Sequence, residues 1–151
     1  MAETLKEVGR VDHEVVIHGV GLDEISPLGP ATIVEIQNTA PAGEAKVYTT
    51  RQYQFDPLTV GIQRCKVEDL KGGDPAQNAK EFEMVLEGGE YNNNAKKDSI
   101  VLNAGVGCYV YELAETIEDG CALAKSTLVE GKGIEILKKW KAVSNEIASR
   151  G

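Results

Sequence analysis

The 151-residue sequence lacks the features that would mark a secreted, zinc-bound or membrane-spanning protein. It has three cysteines, Cys65, Cys108 and Cys121, with no C-x-x-C spacing and no histidine near them. An odd, scattered set excludes a disulfide frame and a zinc site, and fits small buried thiols in a reducing compartment. The longest apolar run, Ser99 to Tyr111, is too short for a membrane span and is broken by Asn103 and three small residues. The amino terminus is acidic and has no apolar h-region, which excludes a secretory signal and a transit peptide there. If the native protein is imported into an organelle, the targeting segment is expected outside this sequence. Positive charge is also scarce: 16 Lys and Arg against 24 Asp and Glu leave a net charge of −8. Such a chain repels nucleic acid and anionic lipid, so neither is expected as a partner. The short basic clusters Lys96-Lys97 and Lys138-Lys139-Lys141 read as solvated helix faces. No Ser-His-Asp, Cys-His or Walker pattern is present.

The remaining composition, 42% hydrophobic and 26% charged, is that of one ordinary globular domain with one core. Residues 3–9 predict a short helix with Leu5 and Val8 inward, closed by Gly9. Val15-Val16-Ile17 predicts a buried strand. A Gly-rich turn, His18 to Glu24, and the punctuating Pro27-Leu28-Gly29-Pro30 follow. Ala31–Gln37 and Lys46–Tyr53 predict a hairpin across the turn-rich residues 38–43, with Thr32, Val34 and Ile36 sharing one face.

Residues 54–71 read as mostly irregular. A helix then starts with Asp74 at its N-cap, Pro75 at its first position and Gln77 three residues after the cap. Its buried stripe is expected at Phe82, Val85 and Leu86, and its end at Gly88-Gly89. The Asn92-Asn93-Asn94 run reads as a loop, and Asp98 as the cap of a central apolar helix from Ser99 to about Leu113. Tyr109 and Tyr111 are expected in its core. Gly105 and Gly107 would each cost that helix roughly 1 kcal/mol relative to Ala, which makes sense if another backbone packs closely there. Thr116 with Asp119 resembles a capping box for a helix ending at Gly131. A last helix carries Ile136, Trp140, Val143 and Ile147 at spacings of four, three and four. Strands first and helices second, without internal repeats, give an α/β or α+β domain.

One place offers chemistry. Asp23 and Glu24 are adjacent carboxylates on the turn after the first strand, where α/β sheets bind ligands. Hard oxygen donors of this kind suit Mg²⁺ shared with a substrate's phosphates. The same pair also describes two solvent-facing surface acids, and His18 a strand-end histidine. Gly72-Gly73-Asp74 could cradle a phosphate at a helix N-terminus. Asp74, however, places a negative charge where the anion would sit, so the segment reads as a capped turn without a ligand.

These blocks resemble one family. His18 to Ser26 resembles the metal-binding turn of anthranilate phosphoribosyltransferases. Phe55-Asp56-Pro57-Leu58 with Gly61-Ile62-Gln63-Arg64-Cys65 resembles the segment that follows in plastid-type members. Leu70 to Pro75 with Asn78-Ala79 resembles the family's L-x-G-G-D-x-x-x-N-A block. Leu102-Asn103-Ala104, Gly120 to Ala124 and Gly131-Lys132 resemble its C-terminal helices. The order agrees over nearly the whole chain. The turn departs from the common bacterial form in being one residue shorter, with Val20 where an acid often stands.

The resemblance implies an α/β fold: the C-terminal part (1–151) of a nucleoside phosphorylase/phosphoribosyltransferase-like catalytic domain, with a small mixed sheet and covering helices. It implies a Mg²⁺-dependent transfer of phosphoribosyl from phosphoribosyl pyrophosphate to anthranilate in tryptophan biosynthesis, with Asp23 and Glu24 as metal ligands. The family's phosphate-cradling G-T-G-G-D loop, its K-H-G-N segment, its anthranilate-binding Arg and its N-terminal helical domain lie upstream of the matched region. The chain alone is therefore expected to be incomplete for catalysis. No residue of it is assigned a catalytic role, and its substrate-binding residues are unassigned. A second polypeptide or a missing N-terminal half is the expected partner. A non-catalytic binding or scaffold subunit derived from this domain, docked to a larger assembly, is the alternative. The plastid stroma is the expected location, with the cytoplasm as the other.

Overall fold

The computed structural model describes residues 1–8, 12–88 and 94–150. Its elements are α1 (Ala2–Val8), β1 (His13–His18), β2 (Ala31–Asn38), β3 (Tyr48–Phe55), a 3-10 turn (Pro57–Val60), α2 (Val67–Leu70), α3 (Pro75–Leu86), α4 (Asn94–Val110), α5 (Ile117–Val129) and α6 (Lys132–Ala148). The expected hairpin is present: β2 and β3 run antiparallel, with Glu35 opposite Arg51. β1 pairs antiparallel with the other edge of β2, with Val16 opposite Val34. The described sheet is thus β1-β2-β3, antiparallel throughout, with helices covering it. The small mixed sheet expected from the resemblance is, among the described residues, antiparallel only.

The core forms between the sheet and α4–α5. Ala31, Ile33 and Phe55 meet Val101, Leu102, Val106, Ile117 and Cys121 there, and Ile25 of the turn joins them. The inward set of β2 is therefore Ala31, Ile33 and Glu35, alternating with Thr32, Val34 and Ile36. Ile36 is buried as well, on the opposite face. α4 and α5 touch backbone to backbone: a Cβ on Gly120 would lie 2.2 Å from the Gly105 carbonyl oxygen. Gly105 has the close neighbour expected of it. Gly107 does not, since a Cβ there would meet nothing within 4 Å.

Several helix limits differ from expectation. α4 begins at Asn94, so Asp98 is an internal residue and caps nothing. The extra turn is held by tertiary contacts: Lys96 pairs with Glu81 of α3, which no local pattern shows. α4 ends at Val110 and not near Leu113. Glu112 adopts φ 59°, the Leu113 N–H donates to the Cys108 carbonyl at 2.9 Å, and the Glu112 N–H donates to the Tyr109 carbonyl at 3.0 Å. That is a Schellman ending with glutamate in the left-handed position usually held by glycine. Tyr111 lies past this ending and is 79% exposed, so it is not core.

Phe82 is 43% exposed, leaving Val85, with partly buried Leu86, as the inward stripe of α3. Val8 of α1 is also exposed, while Leu5 is half-buried. The residues expected to be irregular between 54 and 71 include the end of β3, the 3-10 turn and α2. Asp56 caps the 3-10 turn and pairs with Arg64 at 2.7 Å. Gly88 takes φ +74° just past α3, as expected; Gly9, Gly89, Asn92 and Asn93 lie outside the described residues. The Ile136, Trp140, Val143 and Ile147 stripe of α6 is exposed, Trp140 at 66%. No helix among the described residues is long and apolar enough to cross a membrane.

Candidate functional site

β1 ends at His18, which is exposed, and the chain enters a closed turn. The Gly19 N–H donates to the Leu22 carbonyl at 3.1 Å. A Cβ on Gly19 would lie 2.1 Å from the Glu24 carbonyl oxygen, so only glycine permits this closure. Gly21 adopts φ 69°. Val20 folds over Gly29: its Cγ2 would be 2.8 Å from a Cβ there. The chain after the turn is sunk in the core, with Ile25 at 0% and Ser26 at 1% exposure. The Leu28 N–H donates to Ser26 Oγ at 3.4 Å, and the Cys65 N–H to the Pro27 carbonyl at 3.3 Å. From α4, Asn103 Nδ2 donates to the Ile25 carbonyl at 2.8 Å.

Asp23 and Glu24 remain exposed between these anchors. The structure thus holds the main chain on both sides of the pair and leaves the carboxylates to solvent. His18 is at the near end of the same turn. No cluster of three metal-ligating side chains exists among the described residues. Two carboxylates with open positions are the donor set for an ion that completes its shell with water or phosphate oxygens, as Mg²⁺ does. An apolar cleft of about 450 Å³, lined by Val20, Leu22, Leu28, Val67 and Leu70 among others, flanks the turn.

The glycine-rich segment before α3 is used up internally. Gly73 N–H donates to Asn78 Oδ1 at 2.8 Å, Asn78 Nδ2 returns a bond to the Gly73 carbonyl at 3.1 Å, and the Gln77 N–H donates to Asp74 Oδ1 at 2.9 Å. These donors would have to be freed before an anion could use them, which agrees with a capped turn.

Sequence reading missed a second polar cluster. Glu35, 2% exposed, accepts from Arg51 Nε at 2.7 Å and from the Tyr109 hydroxyl at 2.6 Å, and lies 2.8 Å from His13 Nε2. Arg51 Nη2 also donates to the Tyr109 oxygen at 3.1 Å. Arg51 lies over the Tyr53 ring at 4.9 Å, and His13 meets the Tyr109 ring edge-on. Burial pushes the Glu35 carboxyl up, but hydrogen bonds from Arg51, Tyr109, His13 and Tyr53 outweigh it and hold the group at about 2. Burial, and then the Glu35 charge, push the Tyr53 hydroxyl well above the ordinary phenol range. An ionised carboxylate with this many donors ties all three strands to α4; it is a buried tie, remote in sequence from the acidic turn. Its one visible signal was a glutamate between the apolar residues Val34 and Ile36 of β2.

The family model described as glycosyl transferase family, a/b domain, matches residues 1–134. The chain belongs to that glycosyl transferase family. The anthranilate phosphoribosyltransferase of Chlamydia felis is 31% identical over 147 residues, covering 97% of this chain and 39% of the relative. That of Brucella ovis is 35% identical over 146 residues, again 97% of this chain and 39% of the relative. Among solved structures, anthranilate phosphoribosyltransferase from Thermus thermophilus superposes with a TM-score of 0.75 at 32% identity, covering 93% of this chain and 38% of that one. A variant of the Saccharomyces cerevisiae enzyme, solved with Mg bound, gives a TM-score of 0.67 at 25% identity, covering 83% of this chain and 34% of that one. This glycosyl transferase α/β domain therefore spans about two fifths of the length of the curated relatives it matches.

Proposed function

We propose that this domain is part of an anthranilate phosphoribosyltransferase, and that its contribution to the reaction is the Asp23–Glu24 pair. The observation that carries this reading is the exposed pair on a turn closed by Gly19 and tied down at Ile25. In the transfer, the bond from the ribosyl anomeric carbon to pyrophosphate breaks. A bond to the anthranilate nitrogen forms, and the amine loses a proton. Positive charge develops on the ribosyl carbon and negative charge on the leaving pyrophosphate. Bound Mg²⁺ would supply neutralisation of that leaving charge. Asp23 and Glu24 would hold the ion by direct or water-mediated oxygen contacts.

The remainder of the active site comes from further polypeptide, either upstream in the same gene product or on a second chain. The shares of the relatives covered support this, as does α6: its stripe Ile136, Trp140, Val143 and Ile147 stands in solvent, and the remainder of the transferase is the occupant we assign to it. Native mass spectrometry of the protein from its source, followed by a transferase assay, tests the reading. The isolated 151 residues should show no turnover, and a longer form or a two-chain complex should show Mg²⁺-dependent turnover. A source protein that runs alone at 16.3 kDa, without activity, would instead support a repurposed scaffold docked through a sheet edge.

The plastid-type assignment rests on Phe55 to Leu58 and Gly61 to Cys65, and carries with it residence in the stroma. A fluorescent fusion of the complete gene product distinguishes plastid from cytoplasm.

A further inference from the structure

We infer that Asn103 is a positioning residue for the Asp23–Glu24 pair; the inference rests on the metal-turn reading above. Asn103 stands on α4 among buried neighbours, with Leu102 at 0%, Val101 at 5% and Val106 at 4% exposure. Its Nδ2 donates to two carbonyls, Ile25 of the turn at 2.8 Å and Ser99 of its own helix at 2.8 Å. An amide nitrogen has two hydrogens, so both bonds form together. The reversed amide would put Oδ1 against both carbonyl oxygens, so the two acceptors fix its orientation.

The Ile25 carbonyl is the first one after Glu24. On the other side of the pair, the Leu22 carbonyl is held by the Gly19 N–H. Asp23 and Glu24 therefore occupy a two-residue span between two tethered carbonyls. The far tether runs through Asn103 to a helix whose neighbouring side chains form the core. A metal held by two adjacent carboxylates gains if that span is ordered before the ion arrives, because fixing backbone at binding carries its own entropic cost. Asn103 touches neither carboxylate and acts only through the main chain.

The test uses Asn103→Leu and the isosteric Asn103→Asp, which removes the donor while keeping the shape. Val106→Ala on the same helix is the control for lost core packing that leaves the hydrogen bond from Asn103 to the turn in place. The probes are Mn²⁺, followed by paramagnetic broadening of turn amides, and amide hydrogen exchange. Both Asn103 variants should raise the Mn²⁺ midpoint about tenfold, the scale set by ordering one backbone position. Both should also speed exchange at Gly19 and Leu28 relative to amides of β2 and β3. Val106→Ala should lower the melting temperature and leave both ratios unchanged. Asn103 variants that lower stability but bind Mn²⁺ like the wild type overturn the positioning role alone. If Mn²⁺ does not broaden the wild-type turn, or broadens Asp23→Asn/Glu24→Gln equally, the metal reading itself fails and the inference fails with it.

Discussion

Arg51 Nε lies 2.7 Å from Glu35 Oε2 across the β2–β3 pair, and the two residues differ greatly in exposure. The Glu35 side chain is 2% exposed and that of Arg51 is 65%. Removing the buried acid strands its partners, whereas removing the outer cation leaves the acid its bonds with Tyr109 and His13. Glu35→Ala should therefore cost about 3 kcal/mol, and Arg51→Ala only about 1 kcal/mol after solvent screening. Urea unfolding of both variants measures this; equal costs would show that the asymmetry of burial does not matter.

The same cluster sets an acid limb. The Glu35 carboxyl lies at about 2 when folded, below its ordinary value of 4.5. A depressed carboxyl contributes stability above its unfolded value and loses it as pH falls. The contribution should be complete above pH 4.5 and drain away toward pH 2, amounting to about 3 kcal/mol. Glu35→Gln should flatten that part of a stability–pH curve. An unchanged acid limb would assign it to other carboxylates.

The two glycines of α4 should behave oppositely. Gly120 and Gly105 form the helix crossing, so Gly105→Ala, whose Cβ would be 2.7 Å from the Cys121 nitrogen, should destabilise by about 3 kcal/mol. Gly107→Ala meets nothing and should stabilise by up to about 1 kcal/mol. Melting temperatures shifted in the same direction by both substitutions would contradict the close crossing.

Glu112→Gly addresses the end of α4. A non-glycine residue at φ 59° costs about 1 kcal/mol, partly offset by the greater entropy of glycine in the unfolded chain. A stabilisation of about 0.5 kcal/mol is expected, read by thermal unfolding. Destabilisation would mean that the Glu112 side chain holds more than its own backbone.

The sequence made legible whatever is written locally. The hairpin, the Asp74 and Thr116 caps and the glycine crossing at Gly105 follow from alternation, capping chemistry and the absence of side chains. The acidic turn was legible because two carboxylates and their flanking glycines lie within a few residues. The Glu35 cluster was not, because His13, Arg51 and Tyr109 come from three elements that only the strand register and α4 bring together. Phe82 and Tyr111 were misplaced because apolar spacing counts candidates for burial, while the number of neighbours is set by the tertiary fold. The start of α4 was missed for the same reason, since its first turn is held by Glu81 of another helix.

The role of the acidic turn is tested most directly by Mg²⁺-dependent transferase activity of Asp23→Asn/Glu24→Gln, made in the complete polypeptide carrying this domain. Activity should fall about a hundredfold or more, with the melting temperature unchanged because both side chains are exposed. Full activity in the double variant would return Asp23 and Glu24 to ordinary surface acids and remove the metal site from this domain.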